Sequence, residues 1–203
     1  MEKNVVEYPL SPKYIPSWSV MMALRELIAN ALDSKNSPSF TWKDGYAFIE
    51  DEGPGIPKPF WIIGEGNHGE IGQFGEGLKL AMLVLARENR NVTVDTVGYQ
   101  VRPFLAHSSI YEAQVLTLEY SPNFREKGTN IKVSCSEEEF SNAKNLFLTI
   151  MPVPVLSERL GILDAPGKLY LNGVYIQDII SIWGYNFTDK GLANRDRSIL
   201  NGE

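Results

Sequence analysis

Apolar residues recur at helical spacing in two stretches of this chain. In the first stretch, Ser17 or Ser19 is placed to cap a helix that runs to about Lys35. The second stretch directly follows a cluster of glycines and predicts a helix over 78–87. A capping box adds a third predicted helix, over about 136–148.

Alternating apolar and polar residues predict the strands. A hairpin is predicted over 40–50, because Asp44-Gly45 suits a primed two-residue turn, and a second over 168–176 turns on Asn172-Gly173. Four further strands are predicted at 91–97, 99–106, 111–120 and 129–135. The pattern therefore predicts helices and strands mixed along one chain.

The domain organisation follows from length and composition. The 203 residues suffice for one substantial domain, and 43% hydrophobic with 22% charged residues is typical of a globular protein. Residues 1–16 contain three prolines and are predicted to be an extended lead-in. Residues 17–150 are predicted to form the main domain, and 151–203 a C-terminal extension.

Charge and cysteine content narrow the class of protein. The net charge of −6 argues against a broad nucleic-acid surface on this domain. The single cysteine excludes an intrachain disulfide and favours a reducing compartment. Because neither a signal peptide nor a membrane-spanning apolar run is found, we expect a cytoplasmic protein that does not contact membranes.

The glycine cluster before the second helix is the first candidate for chemistry. Gly72, Gly75 and Gly77 fall within six residues and lead straight into the helix. Glycines that feed a helix N-terminus can form a phosphate cradle, since the first-turn N–H groups are unpaired. The alternative is a flexible loop before a core helix. Lys79, in the first turn, either reaches a phosphate or faces solvent.

The first predicted helix carries a polar stripe. Glu26, Asn30 and Asp33 stand at i, i+4 and i+7, which places an acid, an amide and an acid on one side. A solvated polar face is the alternative. Between Ala29 and Ala31, however, Asn30 has small neighbours that allow other groups to approach.

An acid at the end of the second hairpin strand is followed by glycines. Asp51 precedes Gly53 and Gly55, which is either a simple tight turn or the edge of a pocket. In the second case the Asp51 carboxylate accepts a hydrogen bond from a ligand N–H, and the glycines leave space for the ligand to enter. Lys58, just beyond this turn, either reaches a phosphate or faces solvent.

These segments together resemble the GHKL family of ATPases, which includes gyrase B, MutL, MORC proteins, large heat-shock chaperones and histidine kinases. Residues 26–33 resemble the E-x-x-x-N-x-x-D box, 51–55 the D-x-G-x-G box, and 72–77 the second glycine box. Gly128-Thr129 is similar to the strand start that closes the same pocket. The resemblance covers about residues 20–135. It is to the ATPase branch, because neither histidine lies on a dimerisation helix.

The resemblance implies a Bergerat-type α/β (α+β) two-layer sandwich with a mixed, mostly antiparallel sheet and helices on one face. It implies that ATP and Mg²⁺ bind between the helices and the sheet. Glu26 would be the general base that activates water. Asn30 would be the Mg²⁺ ligand. Asp33 would either contribute to nucleotide binding or only brace the helix, and Lys79 would either contact a phosphate or face solvent.

The remaining implied contacts divide between the base and the phosphates of ATP. Asp51 would accept from the adenine amino group, and Thr129 would support that contact. The glycines that would line the base pocket are Gly53 and Gly55. The glycines that would donate N–H groups to phosphates are Gly72, Gly75 and Gly77.

The implied function is hydrolysis of ATP to ADP and phosphate, as the ATPase part of a larger protein or assembly. An alternative stays open, because only about 70 residues follow the Gly-Thr strand, too few for the domain that supplies a lysine in many relatives. In that alternative, ATP gates an interaction or homodimerisation with little hydrolysis. A further domain or protein partner is expected in both cases.

Overall fold

The computed structural model describes residues 4–65 and 75–188. The chain divides into two compact units, Met1–Ala143 and Lys144–Glu203. The predicted boundary after residue 150 falls within the second unit. The described residues form a mixed α/β protein in which strands outnumber helices and most strand pairs are antiparallel.

The described residues up to 144 form seven strands, three α-helices and one 3₁₀ helix. The strands are β1 (Asn4–Tyr8), β2 (Ser39–Lys43), β3 (Tyr46–Asp51), β4 (Val92–Thr96), β5 (Tyr99–Ser108), β6 (Ala113–Pro122) and β7 (Thr129–Ser134). The α-helices are α1 (Val20–Asp33), α2 (Gly77–Arg87) and α3 (Glu137–Lys144), and a 3₁₀ helix spans Lys58–Trp61.

The first unit is built on one seven-stranded sheet. Its order is β1-β6-β5-β4-β7-β3-β2, and each neighbouring pair is antiparallel. Alternate residues along β3, β4 and β7 are buried, among them Ile49, Val94 and Ile131. Since α1 contacts β3 and α2 contacts β4, β5 and β6, the two helices form a second layer on this sheet.

Local signals in the sequence produce the first helix and hairpin. Ser19 caps α1, with its hydroxyl accepting from the Met22 N–H, as one of the two predicted caps. Asp44 and Gly45 have φ of 53° and 82°, the positive values that a primed turn requires. Both predictions are confirmed, and so is the predicted helix after the glycines, which begins at Gly77.

The second unit contains a five-stranded sheet. Its strands are β8 (Val155–Ser157), β9 (Ile162–Leu163), β10 (Lys168–Leu171), β11 (Val174–Asp178) and β12 (Gly184–Phe187). The order is β11-β10-β12-β9-β8, and only the β10–β12 pair within this sheet is parallel. Asn172 and Gly173 form the predicted turn between β10 and β11, with φ of 50° and 76°.

The predicted end of the third helix is wrong. Its capping box is present, since Ser136 and Glu139 exchange backbone-to-side-chain hydrogen bonds. The helix nevertheless ends at Lys144, not near Leu148, because Phe147 forms a β-bridge with Val174. None of the helices within residues 4–65 and 75–188 is long and apolar enough to cross a membrane.

The lead-in is held against the end of α2 by one arginine. Beyond β1, the Arg87 guanidinium donates to the carbonyls of Pro12, Tyr14 and Ile15 at 3.2–3.3 Å. It also donates to the Trp18 carbonyl at 2.6 Å. A charged planar donor thus contacts four carbonyls of a segment that lies outside the helices and the sheet.

Replacing Arg87 should therefore loosen this segment. We expect Arg87→Met to lower the free energy of unfolding by about 2 kcal/mol, because it removes hydrogen bonds from a charged donor. Urea unfolding followed by circular dichroism measures this change. The control is Arg102→Met on β5, an exposed arginine, with an expected change below about 0.5 kcal/mol. Equal effects of the two substitutions would contradict the role given to Arg87.

Candidate functional site

The acid of the first motif lies against the start of α2. Glu26 is buried on α1, with 6% of its surface exposed. A Cβ placed on Gly77, the first residue of α2, would lie only 2.7 Å from Glu26 Oε2. The absence of a side chain at Gly77 therefore lets this carboxylate reach the helix N-terminus.

Arg25 is the partner of Glu26 that the sequence analysis missed. Its Nε–H donates to Glu26 Oε1 at 3.1 Å, and Nη2 lies 2.9 Å from the same oxygen as an ion-pair contact. Both side chains are more than nine-tenths buried, and the guanidinium lies 5.8 Å from the centre of the Trp18 ring. Oε1 is thus held by Arg25, while Oε2 is the oxygen beside Gly77. The sequence did carry a signal for this ion pair, because Arg25 is a charged residue within an apolar helical stretch.

The other two polar residues of α1 have different surroundings. Asn30, one turn after Glu26, is exposed, whereas Asp33 at the end of the helix is half-buried. Asn36, just beyond α1, accepts a hydrogen bond at its carbonyl from the Glu52 N–H at 2.8 Å. The chain after α1 therefore meets the turn that follows β3, a contact that the sequence analysis missed.

The structure brings Asp51 and Thr129 together. They are directly opposite each other in the antiparallel β3–β7 pair. Asp51 Oδ1 accepts a hydrogen bond from the Gly53 N–H at 2.7 Å, which fixes the carboxylate over the turn. Within residues 4–65 and 75–188, Oδ2 has no hydrogen-bond partner. Thr129 is 3% exposed.

Gly128 makes the close approach of these two segments possible. Its N–H donates to the Gly53 carbonyl at 2.7 Å, and its φ is +75°. A Cβ at this position would lie 2.1 Å from the Asp51 carbonyl oxygen, which is a severe overlap. Glycine is therefore required here both by the left-handed backbone and by the space.

The end of the β4–β5 hairpin also supports the turn that follows Asp51. Ile56 donates its N–H to Thr96 Oγ1 at 2.7 Å, and its carbonyl accepts from the Tyr99 hydroxyl at 2.5 Å. Thr96 and Tyr99 are cross-strand partners in β4–β5. The Trp61 indole N–H donates to Tyr99 at 2.9 Å, and burial raises the pKa of Tyr99. A polar residue at an inward strand position was the signal for Thr96.

The glycine box is only partly described. Gly72 lies outside the described residues, Gly75 has φ of +64°, and Gly77 begins α2. Glu76 occupies the N-cap position without a side-chain capping hydrogen bond. The first-turn N–H groups of α2 have no intrahelical acceptors, so this helix start favours an anionic group.

Lys79 lies beneath the glycine box. It is 2% exposed, and its ammonium donates to the carbonyls of Phe60 at 2.7 Å, Glu65 at 2.8 Å and Gly75. An ammonium has three N–H donors, and three carbonyls receive them. The predicted phosphate contact would require Lys79 to leave these partners. Lys58 is exposed, with Nζ 5.9 Å from the centre of the Tyr99 ring.

The chemistry of these groups can be stated from their types. Glu26 and Asp51 supply carboxylates, Thr129 a hydroxyl, and the start of α2 backbone donors. Asn30 offers an exposed amide oxygen, which fits Mg²⁺, an ion that keeps most of its ligands as water and phosphate oxygen. Across the described ranges, no group of three or more His, Cys, Asp or Glu is placed to hold a metal ion.

The buried ammonium of Lys79 should make stability depend on pH. Burial lowers its pKa from 10.5 to about 8, against the opposing effect of the Glu76 and Glu65 carboxylates. The unfolded chain therefore binds this proton more tightly. We expect the stability of the wild type relative to Lys79→Met to rise by about 2 kcal/mol between pH 7.5 and 9.5.

Urea unfolding of both proteins across this pH range measures that difference. Lys127→Met is the matched control, since the Lys127 side chain is 66% exposed and pairs with Glu52 at the surface. Its stability difference from the wild type should stay constant over the same range. A constant difference for Lys79→Met as well would refute the burial of a charged ammonium at this position.

Comparison with known proteins identifies a distantly similar protein. No protein-family model matches the chain. The chain is similar to an uncharacterised protein of Mycoplasma pneumoniae, with 28% identity over 215 residues. The matched region covers 92% of this chain and 87% of that protein. The description of that relative states no activity, so the functional conclusion rests on the geometry of the site.

Proposed function

We propose that this protein is an ATP-binding module of the GHKL type that hydrolyses ATP to ADP and phosphate with Mg²⁺. One observation carries the proposal: the Glu26 carboxylate, from the first motif, lies at the start of α2, where the third motif ends. A buried acid beside an anion-favouring helix start suits the activation of water near a phosphate.

The second pair of motifs supports a base pocket. Asp51 and Thr129 come from segments far apart in sequence and are cross-strand partners. We propose that Asp51 accepts a hydrogen bond from the adenine amino group and that Thr129 makes the neighbouring contact. Gly53 and Gly55 belong to the turn that follows Asp51, and in this proposal they line the base pocket.

The phosphate end of the site follows from α2. Its first-turn N–H groups, beginning with that of Gly77, and those of the preceding Gly72 and Gly75 donate to phosphate oxygens in this proposal. Asn30 would hold Mg²⁺, which supplies positive charge to the phosphates when bound. Glu26 accepts a proton from the water that attacks the γ-phosphate, and ADP leaves.

The architecture supports a Bergerat-type arrangement as part of the proposal. A seven-stranded antiparallel sheet is covered by α1 and α2, and the motif residues lie on the elements that face each other. Glu26 comes from the helical layer, whereas Asp51 and Thr129 come from the sheet. A nucleotide between the two layers would contact both groups.

The Arg25–Glu26 ion pair favours a second candidate function. A carboxylate oxygen that accepts a hydrogen bond from a guanidinium and forms an ion pair with it is a weaker base than an unpaired one. In this alternative, ATP binds and gates an interaction or homodimerisation, and hydrolysis is slow. The two candidates share the nucleotide site and differ only in turnover.

Asp51→Asn tests the base pocket. The substitution replaces an acceptor oxygen by an amide donor, so we expect ATP affinity to fall at least tenfold, measured by calorimetry with Mg²⁺. Glu50→Gln is the matched control, because Glu50 is the neighbour of Asp51 on β3 and points to the opposite side of the strand. Unchanged affinity in a folded Asp51→Asn protein would reject the proposed site.

Glu26→Gln tests whether Glu26 is the general base that activates water. We expect ATP binding to persist within about threefold while steady-state phosphate release falls at least a hundredfold, since an amide cannot accept the proton from water. Phosphate release and calorimetric binding are measured on the same preparations. Binding without turnover in the wild type would favour the nucleotide-gated alternative. Turnover that survives in Glu26→Gln would remove Glu26 from the mechanism.

A further inference from the structure

Thr96 contacts both parts of the proposed base pocket, namely the turn that follows Asp51, and Thr129 on β7. It is fully buried, and it is the residue of β4 that meets both the turn after Asp51 and the first residue of β7. Its Oγ1 accepts from the Ile56 N–H at 2.7 Å and lies 3.3 Å from Thr129 Oγ1. A Cβ on Gly55 would lie 2.7 Å from the same oxygen, so the turn packs directly on Thr96.

The Thr96–Thr129 hydrogen bond can run in either direction, since each residue carries a buried hydroxyl. A hydroxyl has one proton and two lone pairs, and one lone pair of Thr96 is used by Ile56. A buried hydroxyl proton needs an acceptor. Among the described residues, Thr129 Oγ1 is the acceptor within reach of Thr96. When Thr96 donates to it, the proton of Thr129 is free to point towards the side where Asp51 lies.

We propose that Thr96 is a positioning residue that orients the Thr129 hydroxyl as a donor and thereby selects adenine over 6-oxopurines. This inference rests on the proposed nucleotide site. The pocket then presents an acceptor, Asp51, beside a donor, Thr129. Adenine presents the complementary pair, an amino donor on C6 beside the N1 acceptor. Hypoxanthine and guanine reverse both groups, with a C6 carbonyl beside an N1–H.

Tyr99 is a suitable comparison for Thr96, because it supports the turn at Ile56. It holds the same residue, Ile56, by the carbonyl instead of the N–H, and no hydrogen bond joins it to Thr129 within the described ranges. Loss of the Tyr99 hydroxyl should therefore loosen the turn without changing the direction of the Thr129 hydroxyl. Loss of the Thr96 hydroxyl should loosen the turn and also change the direction of the Thr129 hydroxyl.

The experiment compares the affinities of ADP and IDP, which differ at the purine edge and are not hydrolysed. Calorimetry on the full chain gives the ratio of the two dissociation constants. We expect the wild type to prefer ADP. In Thr96→Val, which keeps the side-chain shape, the preference should fall at least fivefold, as expected when one oriented hydrogen bond is lost. Thr96→Ser should retain the preference.

Tyr99→Phe is the control for turn support. It should weaken ADP and IDP by the same factor and leave their ratio unchanged. If Thr96→Val does not fold, Thr96→Cys replaces it, since a thiol is only a weak donor and acceptor, and the preference should again fall.

Each result has a distinct meaning. A folded Thr96→Val or Thr96→Cys protein with the wild-type ratio overturns the role of Thr96 and leaves the nucleotide site standing. A wild type that binds ADP and IDP equally overturns the inference together with the proposed contact of Asp51 to the adenine amino group, and leaves the phosphate end of the site standing. A folded wild type that binds neither nucleotide overturns the proposed function together with this inference.

Discussion

The complete burial of α2 is the constraint on which the first unit depends. Residues Leu78–Ala86 are all buried, because α1 covers one side of the helix and the sheet covers the other. A helix that is apolar all round has no side for solvent. The Lys79 ammonium must therefore find partners within the protein. The carbonyls of Phe60, Glu65 and Gly75 provide them for the lysine, and the Glu26 carboxylate lies at the helix start.

The parts of the fold that the sequence predicted are those with local causes. The Ser19 cap, the Asp44-Gly45 turn and the Asn172-Gly173 turn each depend on residues within a few positions of one another. The order of strands depends on pairings between distant segments, and no local signal specifies it. The early end of α3 has the same origin, because a bridge from Phe147 to Val174 competes with continuation of the helix.

The candidate site likewise has a part that the sequence predicted and a part that it did not. The positions of Glu26, Asp51 and Thr129 could be taken from motifs, and the structure places Asp51 beside Thr129. The partners of these residues could not. Whether Lys79 meets a phosphate or a carbonyl depends on where Phe60 and Glu65 lie, and the contact of Thr96 depends on the position of Ile56. Side chains whose partners come from another segment are set by tertiary packing, which spacing along the chain does not encode.

The strand order also bears on how the chain acquires its structure. β1 is the first strand in the sequence, yet it pairs with β6, so that Tyr8 lies opposite Leu116. Pairings between such distant segments cost chain entropy before they gain contacts, which slows folding. During synthesis, β1 therefore leaves the ribosome long before its partner. This edge of the sheet closes only after Ala113–Pro122 has emerged, so β1, the first strand to be made, cannot pair until β2 to β5 and its own partner have been made.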